Sequence, residues 1–336
     1  MSHANISIFI PHTGCPHICS FCNQRTISHT SCPPSPEKVA AVLDEAYGHI
    51  LPEKRSDTEI AFFGGSFTAI DREYMISLLE AAQNYIGYNK FSGIRISTRP
   101  DCINEEILCI LKKYGVTAIE LGAQSMRENV LEANRRGHSP EDVVKASQLI
   151  KEHGFELGLQ MMLGLYRSTP EDEIYTAEEI IRIRPRTVRI YPVAVLENTE
   201  LAQLYRQGIY KLIPFDECIS VCAYITGRFI DNDIKIIRLG LHAEETVESS
   251  AIAGYYHPAL GELVYSERVR QLIEKELSLS DSVSAEAPDK LMSILGGHKK
   301  SNRIYFKDKN VTFKLNKELP CDSISINGKI YRIVNS

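Results

Sequence analysis

Three cysteines near the amino terminus have the spacing of a metal site. Cys15, Cys19 and Cys22 follow the pattern C-x3-C-x2-C, so their thiolates can hold three corners of an iron–sulfur cube. A closed cluster of this type takes four cysteines, and with three of them one iron keeps an open coordination position. Because an open position is typical of a catalytic rather than a structural metal site, the spacing predicts a catalytic 4Fe–4S cluster.

Two other interpretations of these cysteines fit the same spacing. They could form a zinc knuckle completed by His12, His17 or Cys32, or they could be unrelated buried thiols. The sequence downstream of the cysteines favours the cluster, because it places the run at one particular end of a predicted sheet.

The composition is that of an ordinary globular protein. The 336 residues are 43% hydrophobic and 24% charged, which suits one large domain or a large and a small one. No apolar stretch reaches membrane-spanning length, and the apolar run at residues 6–10 is too short for a secretory signal. Nine cysteines in such a chain are typical of metal ligands or buried thiols in a reducing compartment. We therefore expect a cytoplasmic protein that does not insert into membranes.

Short β-branched runs alternate with segments of helical periodicity. Six runs are predicted as strands: Ile6–Ile10, Thr58–Phe63, Gly93–Thr98, Thr117–Leu121, Phe155–Met161 and Thr187–Tyr191. Three helices open with a hydroxyl residue, proline and glutamate, at residues 35–37, 139–141 and 169–171, the pattern of a capped amino terminus. The repeated unit predicts parallel strands with right-handed crossovers. We expect an α/β fold, a partial (β/α)6-type TIM barrel.

Glycine and polar residues stand at the carboxyl ends of the predicted strands, where such a barrel carries its chemistry. The cysteines follow the first strand, where a zinc knuckle has no reason to lie. The other residues at these ends are Gly64, Gly65, Ser66 and Phe67 after the second strand, Ser97 and Arg99 after the third, Gln124 after the fourth and Tyr191 after the sixth. The glycines let a ligand approach the backbone, although a tight turn would also explain them. Arg99 suits a carboxylate, although a surface turn stabilised by Asp101 would explain it as well.

These motifs resemble the radical S-adenosylmethionine (radical SAM) superfamily, in the subgroup that includes the catalytic subunit of Elongator, over residues 4 to 260. The resemblance implies the radical SAM kind of barrel, with a 4Fe–4S cluster on Cys15, Cys19 and Cys22 and S-adenosylmethionine on the open iron. It implies a reductant such as flavodoxin or ferredoxin, because a reduced cluster passes one electron to the cofactor. The resulting 5′-deoxyadenosyl radical abstracts hydrogen from a substrate.

The resemblance also assigns cofactor contacts to particular residues. The loop Gly64–Phe67 takes the cofactor amino group in this superfamily. Ser97 stands where the subgroup has a glutamate at the ribose contact, and Arg99 is the candidate for the cofactor carboxylate. Gln124 and Ser125 resemble the Gly-Val-Gln-Ser element shared with oxygen-independent coproporphyrinogen oxidase.

Three residues are candidates for contact with the substrate. His138 belongs to a run that resembles the Arg-Gly-His element of the subgroup, although its place beside a helix cap would also explain it. Tyr191 and His242 end strand-like runs and would either orient a substrate or plug the barrel mouth. Cys218 and Cys222 are expected to be buried apolar residues rather than ligands of a second cluster.

We divide the chain into a barrel, residues 1–280, and a small basic β-rich region, residues 281–336. Residues 298–336 carry nine Lys and Arg against three acids, a net charge of +6, whereas the whole chain has −5. Four strands are predicted there: Arg303–Phe306, Val311–Leu315, Ser323–Ile326 and Lys329–Val334, with a turn at Asn327-Gly328. Aromatic residues interleave with the cations, which suits either RNA binding or packing of the sheet on the barrel.

Three functions remain open. The favoured one is a radical SAM enzyme acting on an RNA base, in the manner of a tRNA-modifying enzyme. The second is a radical SAM enzyme of small-molecule metabolism such as tetrapyrrole chemistry, and the third is a non-catalytic zinc or cluster-binding module. Elongator-type proteins add an acetyltransferase domain after the barrel, and the segment beyond residue 260 is too short for one.

Overall fold

The computed structural model of the protein describes residues 4–11, 15, 18–23, 32–241 and 250–335. The first nine strands are β1 (Ala4–Ile10), β2 (Thr58–Gly64), β3 (Ile94–Thr98), β4 (Val116–Gln124), β5 (Glu156–Leu163), β6 (Thr187–Pro192), β7 (Ala194–Leu196), β8 (Lys235–Leu239) and β9 (Ala251–Gly254). All but β7 and β9 form one curled parallel sheet, in the order β1-β2-β3-β4-β5-β6-β8. The predicted partial barrel with six parallel strands is confirmed, and β8 adds a seventh.

Helices connect the parallel strands and cover the outer face of the sheet. They are α1 (Pro36–His49), α2 (Pro52–Arg55), α3 (Arg72–Gln83), α4 (Glu105–Lys113), α5 (Glu128–Ala133), α6 (Pro140–Glu152), α7 (Pro170–Ile183), α8 (Glu200–Arg206), α9 (Phe215–Asp231) and α10 (Leu260–Leu277). The three predicted caps are confirmed. The side chains of Ser35, Ser139 and Thr169 each accept a hydrogen bond from the backbone N–H three residues later.

The two faces of the sheet differ in polarity. Apolar side chains such as Ile60, Ile96 and Ile119 are buried under the helices in the main hydrophobic core. Alternate residues of a strand point to the opposite face, and there β3 and β4 carry charged residues, Arg95 and Glu120. The inside of the half-barrel is therefore polar, whereas its outside is apolar.

Five charged residues form a network inside the half-barrel, here called the charged floor: Glu59, Arg95, Glu120, Glu156 and Arg189. Glu120 accepts hydrogen bonds from Arg189 Nε at 2.6 Å and from Arg189 Nη2 at 2.9 Å. Arg95 donates to Glu59 at 2.6 Å and to Glu156 at 2.7 Å. Arg95 Nη1 also donates to Glu120 at 3.5 Å, so that the paired charges link β2 to β6 across the interior.

Two short strands extend the mouth of the half-barrel. β7 and β9 pair antiparallel, and the Tyr255 N–H donates to the Val193 carbonyl at 2.8 Å just beyond them. Among the helices in the described residues, none is long and apolar enough to cross a membrane.

The carboxyl-terminal region contains a second sheet. Its strands are β10 (Val283–Ala287), β11 (Val311–Leu315), β12 (Ser323–Ile326) and β13 (Lys329–Arg332), in the order β11-β10-β12-β13, with helices α11 (Met292–Gly296) and α12 (Ser301–Tyr305). Asn327 and Gly328, with φ of 50° and 83°, form the predicted hairpin turn between β12 and β13. Val269 and Ile273 of α10 share its core, so the division at residue 280 stays a prediction.

One of the four predicted strands in this region is wrong. Residues 303–306 were expected to be a strand, and they belong instead to α12 and the residue after it. Asn302 and Phe306 are both buried while the residues between them are exposed, which is a helical pattern. The Asn302 amide also donates to the Ser266 carbonyl at 2.9 Å, so that this side of α12 faces α10.

Candidate active site

The cysteine run lies at the carboxyl end of β1, at the mouth of the half-barrel. Cys19 is buried, whereas Cys15 and Cys22 are partly exposed, and the Cys22 N–H donates to the Cys19 carbonyl at 3.1 Å. In the part of the chain that the structure describes, no three His, Cys, Asp or Glu side chains form a group that could hold a metal ion. The location is the expected one, and the set of ligands stays a prediction.

The loop after β2 and the segment after α5 contact the cysteine sulfurs. The Cys15 sulfur lies 3.8 Å from the Ser66 hydroxyl, and Arg136 Nη1 donates to the Cys19 sulfur across 3.1 Å. Arg136 is buried, and its Nη2 donates to the Gly122 carbonyl in β4 at 2.6 Å. Arg136 was not among the predicted site residues, although it lies in the run that pointed to His138.

The glycine loop is held against β1 through its backbone. The Gly65 N–H donates to the Ile10 carbonyl at 2.8 Å. Gly64 has a φ of 110°, and a Cβ at this position would lie 2.6 Å from the Ile10 carbonyl oxygen, so that only glycine fits. Ser66 and Phe67 are buried, and the Phe67 ring packs in the hydrophobic core. The loop therefore presents backbone rather than an aromatic ring.

The end of β3 carries two of the predicted cofactor contacts. Ser97 accepts a hydrogen bond from Gln160 Nε2 at 3.3 Å. Arg99 is buried, and its Nε and Nη2 donate to the two carboxylate oxygens of Asp101 at 2.9 and 2.8 Å. Burial lowers the pKa of Arg99, but the hydrogen bond and charge of Asp101 outweigh this effect and raise it. The Asp101 pairing expected for a simple turn is thus present, and it occupies much of the Arg99 guanidinium.

The end of β4 is distorted at Gln124. The pairing of β4 with β5 shifts register between Gly122 and Gln124, and Gln124 has a φ of 65°, in the left-handed region. Gln124 is buried, and its Oε1 has no hydrogen-bond partner among the described residues. A buried, unpartnered acceptor in strained backbone is a feature of ligand sites.

His138 supports this distorted strand end. Its Nε2 lies 3.2 Å from the Ala123 carbonyl, and this contact requires a proton on Nε2. Burial, with the nearby Arg136 charge, lowers the pKa of His138 to about 4, so the ring is neutral at neutral pH. Its Nδ1 is then a buried acceptor without a partner in the described residues.

His138 and Arg136 lie in the turn and loop that follow α5. Asn134, Arg136 and His138 are buried, and the two residues between them, Arg135 and Gly137, are exposed. The three buried side chains contact the cysteine run and β4. The run that pointed to His138 contains Asn134 and Arg136 as well, but their burial could not be read from the sequence.

Tyr191 lies on the inner face of β6, next to the charged floor. Burial raises the pKa of its hydroxyl despite the nearby Arg189 charge, so the phenol stays protonated. Tyr191 pairs with Met162 near the end of β5, so it lies toward the carboxyl edge of the sheet. His242, the other predicted strand-end candidate, lies outside the described residues.

Cys218 and Cys222 are buried in α9, as expected for apolar residues. Burial raises the pKa of both thiols, that of Cys222 to about 12. Nearby, burial raises the pKa of Glu173 to about 7, and one of its oxygens accepts a hydrogen bond from the Gly164 N–H. These groups lie behind the loop after β5 and support it.

The residues at the mouth fit the groups that the sequence analysis assigned to them. Thiols suit iron, and the buried acceptors Gln124 Oε1 and His138 Nδ1 suit hydroxyl or amino groups of a ligand. Arg136 Nε, which is buried and has no partner among the described residues, suits a carboxylate. Together these groups fit an iron–sulfur cluster with an amino-acid-containing nucleoside beside it.

Comparison with known proteins agrees with this chemistry. The chain matches the model of the Radical SAM superfamily over residues 9–180 and that of the Radical_SAM C-terminal domain over residues 185–270. It is similar to the tRNA uridine(34) acetyltransferase of Methanocaldococcus jannaschii, with 32% identity over 227 residues, 62% of this chain and 41% of that protein. It therefore spans about two fifths of the length of that relative.

Two further relatives align over more of their own length. An uncharacterized protein of Methanocaldococcus jannaschii is 27% identical over 279 residues, which cover 78% of this chain and 82% of that protein. Among solved structures, the archaeal Methanocaldococcus infernus Elp3 with an N-terminal deletion superposes with a TM-score of 0.63 at 26% identity. This alignment covers 82% of the present chain and 64% of the other.

Proposed function

The chain belongs to the radical SAM superfamily, and we propose that it acts on an RNA base, most directly a base of transfer RNA. It is a radical SAM enzyme and uses a 4Fe–4S cluster and S-adenosylmethionine. When bound, these groups supply a 5′-deoxyadenosyl radical that abstracts a hydrogen atom from the substrate. The observation that carries the choice of substrate is the similarity to tRNA uridine(34) acetyltransferases in this part of the chain.

Cys15, Cys19 and Cys22 are the proposed cluster ligands. Their spacing and their place at the end of β1 support this assignment, and so does the hydrogen bond from Arg136 to Cys19. The zinc-module interpretation is set aside, because this superfamily uses an iron–sulfur cluster.

The cofactor contacts follow from the groups at the mouth. Backbone groups of Gly64–Phe67 are proposed to bind the amino group, and Gln124 to bind a hydroxyl or amino group through its unpartnered Oε1. Arg136 offers a buried Nε to the carboxylate, a role it shares with or takes from Arg99, since Asp101 already binds Arg99. Ser97 is the proposed ribose contact at the end of β3.

His138 and Tyr191 remain candidates for contact with substrate. The neutral His138 ring cannot act as an acid near pH 7, so its proposed role is to hold β4 and to accept a hydrogen bond. The charged floor bounds the cavity from below, where its paired side chains are proposed to exclude water from the reacting groups, and Tyr191 lies on the same face toward the mouth.

A basic ridge in the carboxyl-terminal region supports binding of RNA. It consists of the exposed residues Lys299, Lys300, Arg303, Lys307 and Lys309. The ridge runs along α10, because His298 pairs with Glu262 near the start of this helix and Tyr305 bonds to Glu274 near its end. Glu262 and Glu274 are twelve residues apart on this helix, a distance of about 18 Å along its axis.

The aromatic residues of this region pack inward rather than outward. Phe306 is buried, and Phe313 and Tyr331 pack against the small core. Tyr305 is 44% exposed, but its hydroxyl bonds to Glu274 and its ring carries the Lys309 ammonium at 4.2 Å. We therefore propose that the ridge binds phosphates and does not stack bases.

The remaining partners are proposed on the same grounds. We propose that a flavodoxin or ferredoxin supplies the electron and that the enzyme works in the cytoplasm. The exposed Ile18, in the cysteine run, is a feature of the face on which such a reductant would dock.

Release of 5′-deoxyadenosine tests the proposed function. The protein is reconstituted anaerobically with iron and sulfide, reduced, and supplied with S-adenosylmethionine, and the product is measured with and without unmodified bulk tRNA. The proposal expects tRNA to raise the rate at least several-fold above the uncoupled rate. Stimulation by porphyrinogens or other small metabolites, with no effect of tRNA, would instead favour small-molecule metabolism.

A further inference from the structure

The cysteine run has no helix or strand in its described residues, so contacts with other elements must fix it. Ser20 makes three of them. Its hydroxyl donates to Asn134 Oδ1 at 2.8 Å, its N–H donates to the Asn134 carbonyl at 3.2 Å, and its carbonyl accepts from the Leu201 N–H at 2.8 Å. Ser20 directly follows Cys19 and stands two residues before Cys22, so its contacts fix the backbone of both.

Asn134 connects this run to the interior of the protein. It is fully buried, and its Nδ2 donates to the Val130 carbonyl at 2.8 Å and to the Tyr166 carbonyl at 2.9 Å. The amide oxygen thus accepts a hydrogen bond from Ser20, while the amide nitrogen donates to α5 and to the loop after β5. A buried amide with all its groups satisfied holds a single orientation, because any rotation would leave buried polar groups unpaired.

The loop after β5 is a fixed support for Asn134. The Gly164 N–H donates to the Glu173 carboxylate, and the Gly164 carbonyl accepts a hydrogen bond from the Tyr210 hydroxyl. Gly164 has a φ of 76°, and a Cβ there would lie 2.5 Å from the Tyr255 ring. The backbone two residues before Tyr166 is therefore held from both sides.

We infer that Asn134 is a positioning residue that fixes the cysteine run to the loop after β5 and to α5. In this arrangement the run is placed by protein contacts before any metal arrives. The inference rests on the proposed function only for the identity of Cys19 and Cys22 as ligands. It adds a residue whose side chain touches neither the cysteines nor the proposed cofactor contacts.

Alkylation of the metal-free protein tests the inference without a cluster. Cys19 is buried, so iodoacetamide reacts with it only when the run moves away, and mass spectrometry reports the rate for each cysteine. Asn134→Ala removes the acceptor of the Ser20 hydroxyl and the two donors of the amide nitrogen, and should accelerate alkylation of Cys19 roughly tenfold or more. Ser20→Ala removes only the hydroxyl and should give a smaller change in the same direction.

Two internal references separate positioning from general destabilisation. The exposed Cys109 should react at the same rate in every variant, and the buried Cys218 should stay unreactive. Asn129→Ala is the matched control, because Asn129 is an exposed asparagine on the same helix, α5. If Cys218 also becomes reactive in Asn134→Ala, Asn134 stabilises the whole fold. The inference then fails unless Ser20→Ala makes Cys19 reactive while Cys218 stays unreactive.

A spectrum of the loaded protein gives a second readout. At equal iron content, Asn134→Ala should change the electron paramagnetic resonance line shape of the reduced cluster, whereas Asn129→Ala should not. If Cys19 is alkylated at the wild-type rate in both Asn134→Ala and Ser20→Ala, the inference is overturned. That result is distinct from failure of the proposed function, which would appear as absence of a cluster in the wild-type protein.

Discussion

Arg136 donates a hydrogen bond from Nη1 to the sulfur of Cys19, across 3.1 Å and 117 residues of sequence. The guanidinium also donates to the Gly122 carbonyl, so it joins the cysteine run to the end of β4. Its Nε is buried without a partner in the described residues. The Arg136 side chain thus contacts Cys19, a proposed ligand of the cluster, and keeps one N–H free to bind the cofactor beside the cluster.

Replacement of this arginine should weaken cofactor binding. Arg136→Met removes the buried charge and its donors, and we expect the affinity for S-adenosylmethionine to fall roughly 10- to 100-fold. The affinity is measured by anaerobic calorimetry and expressed per loaded cluster. The control is Arg135→Met, since Arg135 is exposed and pairs with Glu200 on the surface. Equal affinity for S-adenosylmethionine in both variants would mean that Arg136 stabilises the fold and does not bind the cofactor.

The cysteines themselves give the simplest prediction. A variant with Cys15, Cys19 and Cys22 all changed to Ala should bind no cluster, because no thiolate remains in the run to hold iron. Iron and sulfide analysis after anaerobic reconstitution checks this expectation. A variant with Cys109 and Cys321 changed to Ala is the control, because these cysteines are exposed and lie on α4 and between β11 and β12. Full iron content in the first variant would refute the assignment.

Strands and caps could be predicted well because their signals are local. The alternation of β-branched runs with capped helices gave six of the seven parallel strands, and Ser35, Ser139 and Thr169 cap their helices as expected. Residues 303–306 were misassigned because a short apolar run has no clear period. Their helical form depends on the contact of Asn302 with α10, which only the tertiary structure reveals.

The site was predictable in location but not in its pairings. The positions of the glycine loop, Arg99 and Gln124 at one edge of the sheet could be predicted, since parallel strands bring their carboxyl ends together, whereas their roles stay predictions. Sequence could not show that Asp101 occupies the Arg99 guanidinium or that Arg136 reaches Cys19. These contacts depend on side-chain directions and on separations of up to 117 residues.

Gly64 should be far less tolerant of a side chain than a glycine in open space. Gly64→Ala places a Cβ 2.6 Å from the Ile10 carbonyl oxygen in a left-handed backbone, and we expect a loss of about 2 kcal/mol or more in the free energy of unfolding. Gly261→Ala, on α10 with nothing within 4 Å of the new Cβ, should instead gain up to about 1 kcal/mol. Urea unfolding of both variants measures the difference. Equal effects would show that the glycine loop relaxes freely.

Glu173 should make stability depend on pH. Its pKa rises from 4.5 to about 7 in the folded protein, so the native state holds a proton that the unfolded chain releases between these values. The unfolded state therefore binds fewer protons in this window, and the contribution of Glu173 becomes less favourable as pH rises from 4.5 through 7. Above pH 7 the folded protein carries a buried carboxylate.

Glu173→Gln should remove this dependence, because the amide stays neutral and its oxygen can still accept the Gly164 N–H. The difference in unfolding free energy between variant and wild type should shift in favour of the variant by roughly 2–3 kcal/mol from pH 5 to pH 8. Urea unfolding at both pH values measures it. Glu171→Gln, on the exposed side of the same turn, controls for the lost charge at the helix start. A difference independent of pH would contradict the assignment.

The basic ridge should govern the salt dependence of RNA binding. Changing Lys299 and Lys300 together to Glu removes two phosphate contacts, so binding of tRNA should weaken, and the slope of log affinity against log salt should fall by about 1–2. Lys38→Glu with Lys54→Glu is the matched control, because both lysines are exposed on α1 and α2, away from the ridge. Filter binding between 50 and 200 mM salt, about the range in which such contacts act, measures both quantities. Equal slopes for the two double variants would exclude the ridge as the RNA site, and an absence of salt-dependent binding by the wild type would exclude RNA as the substrate.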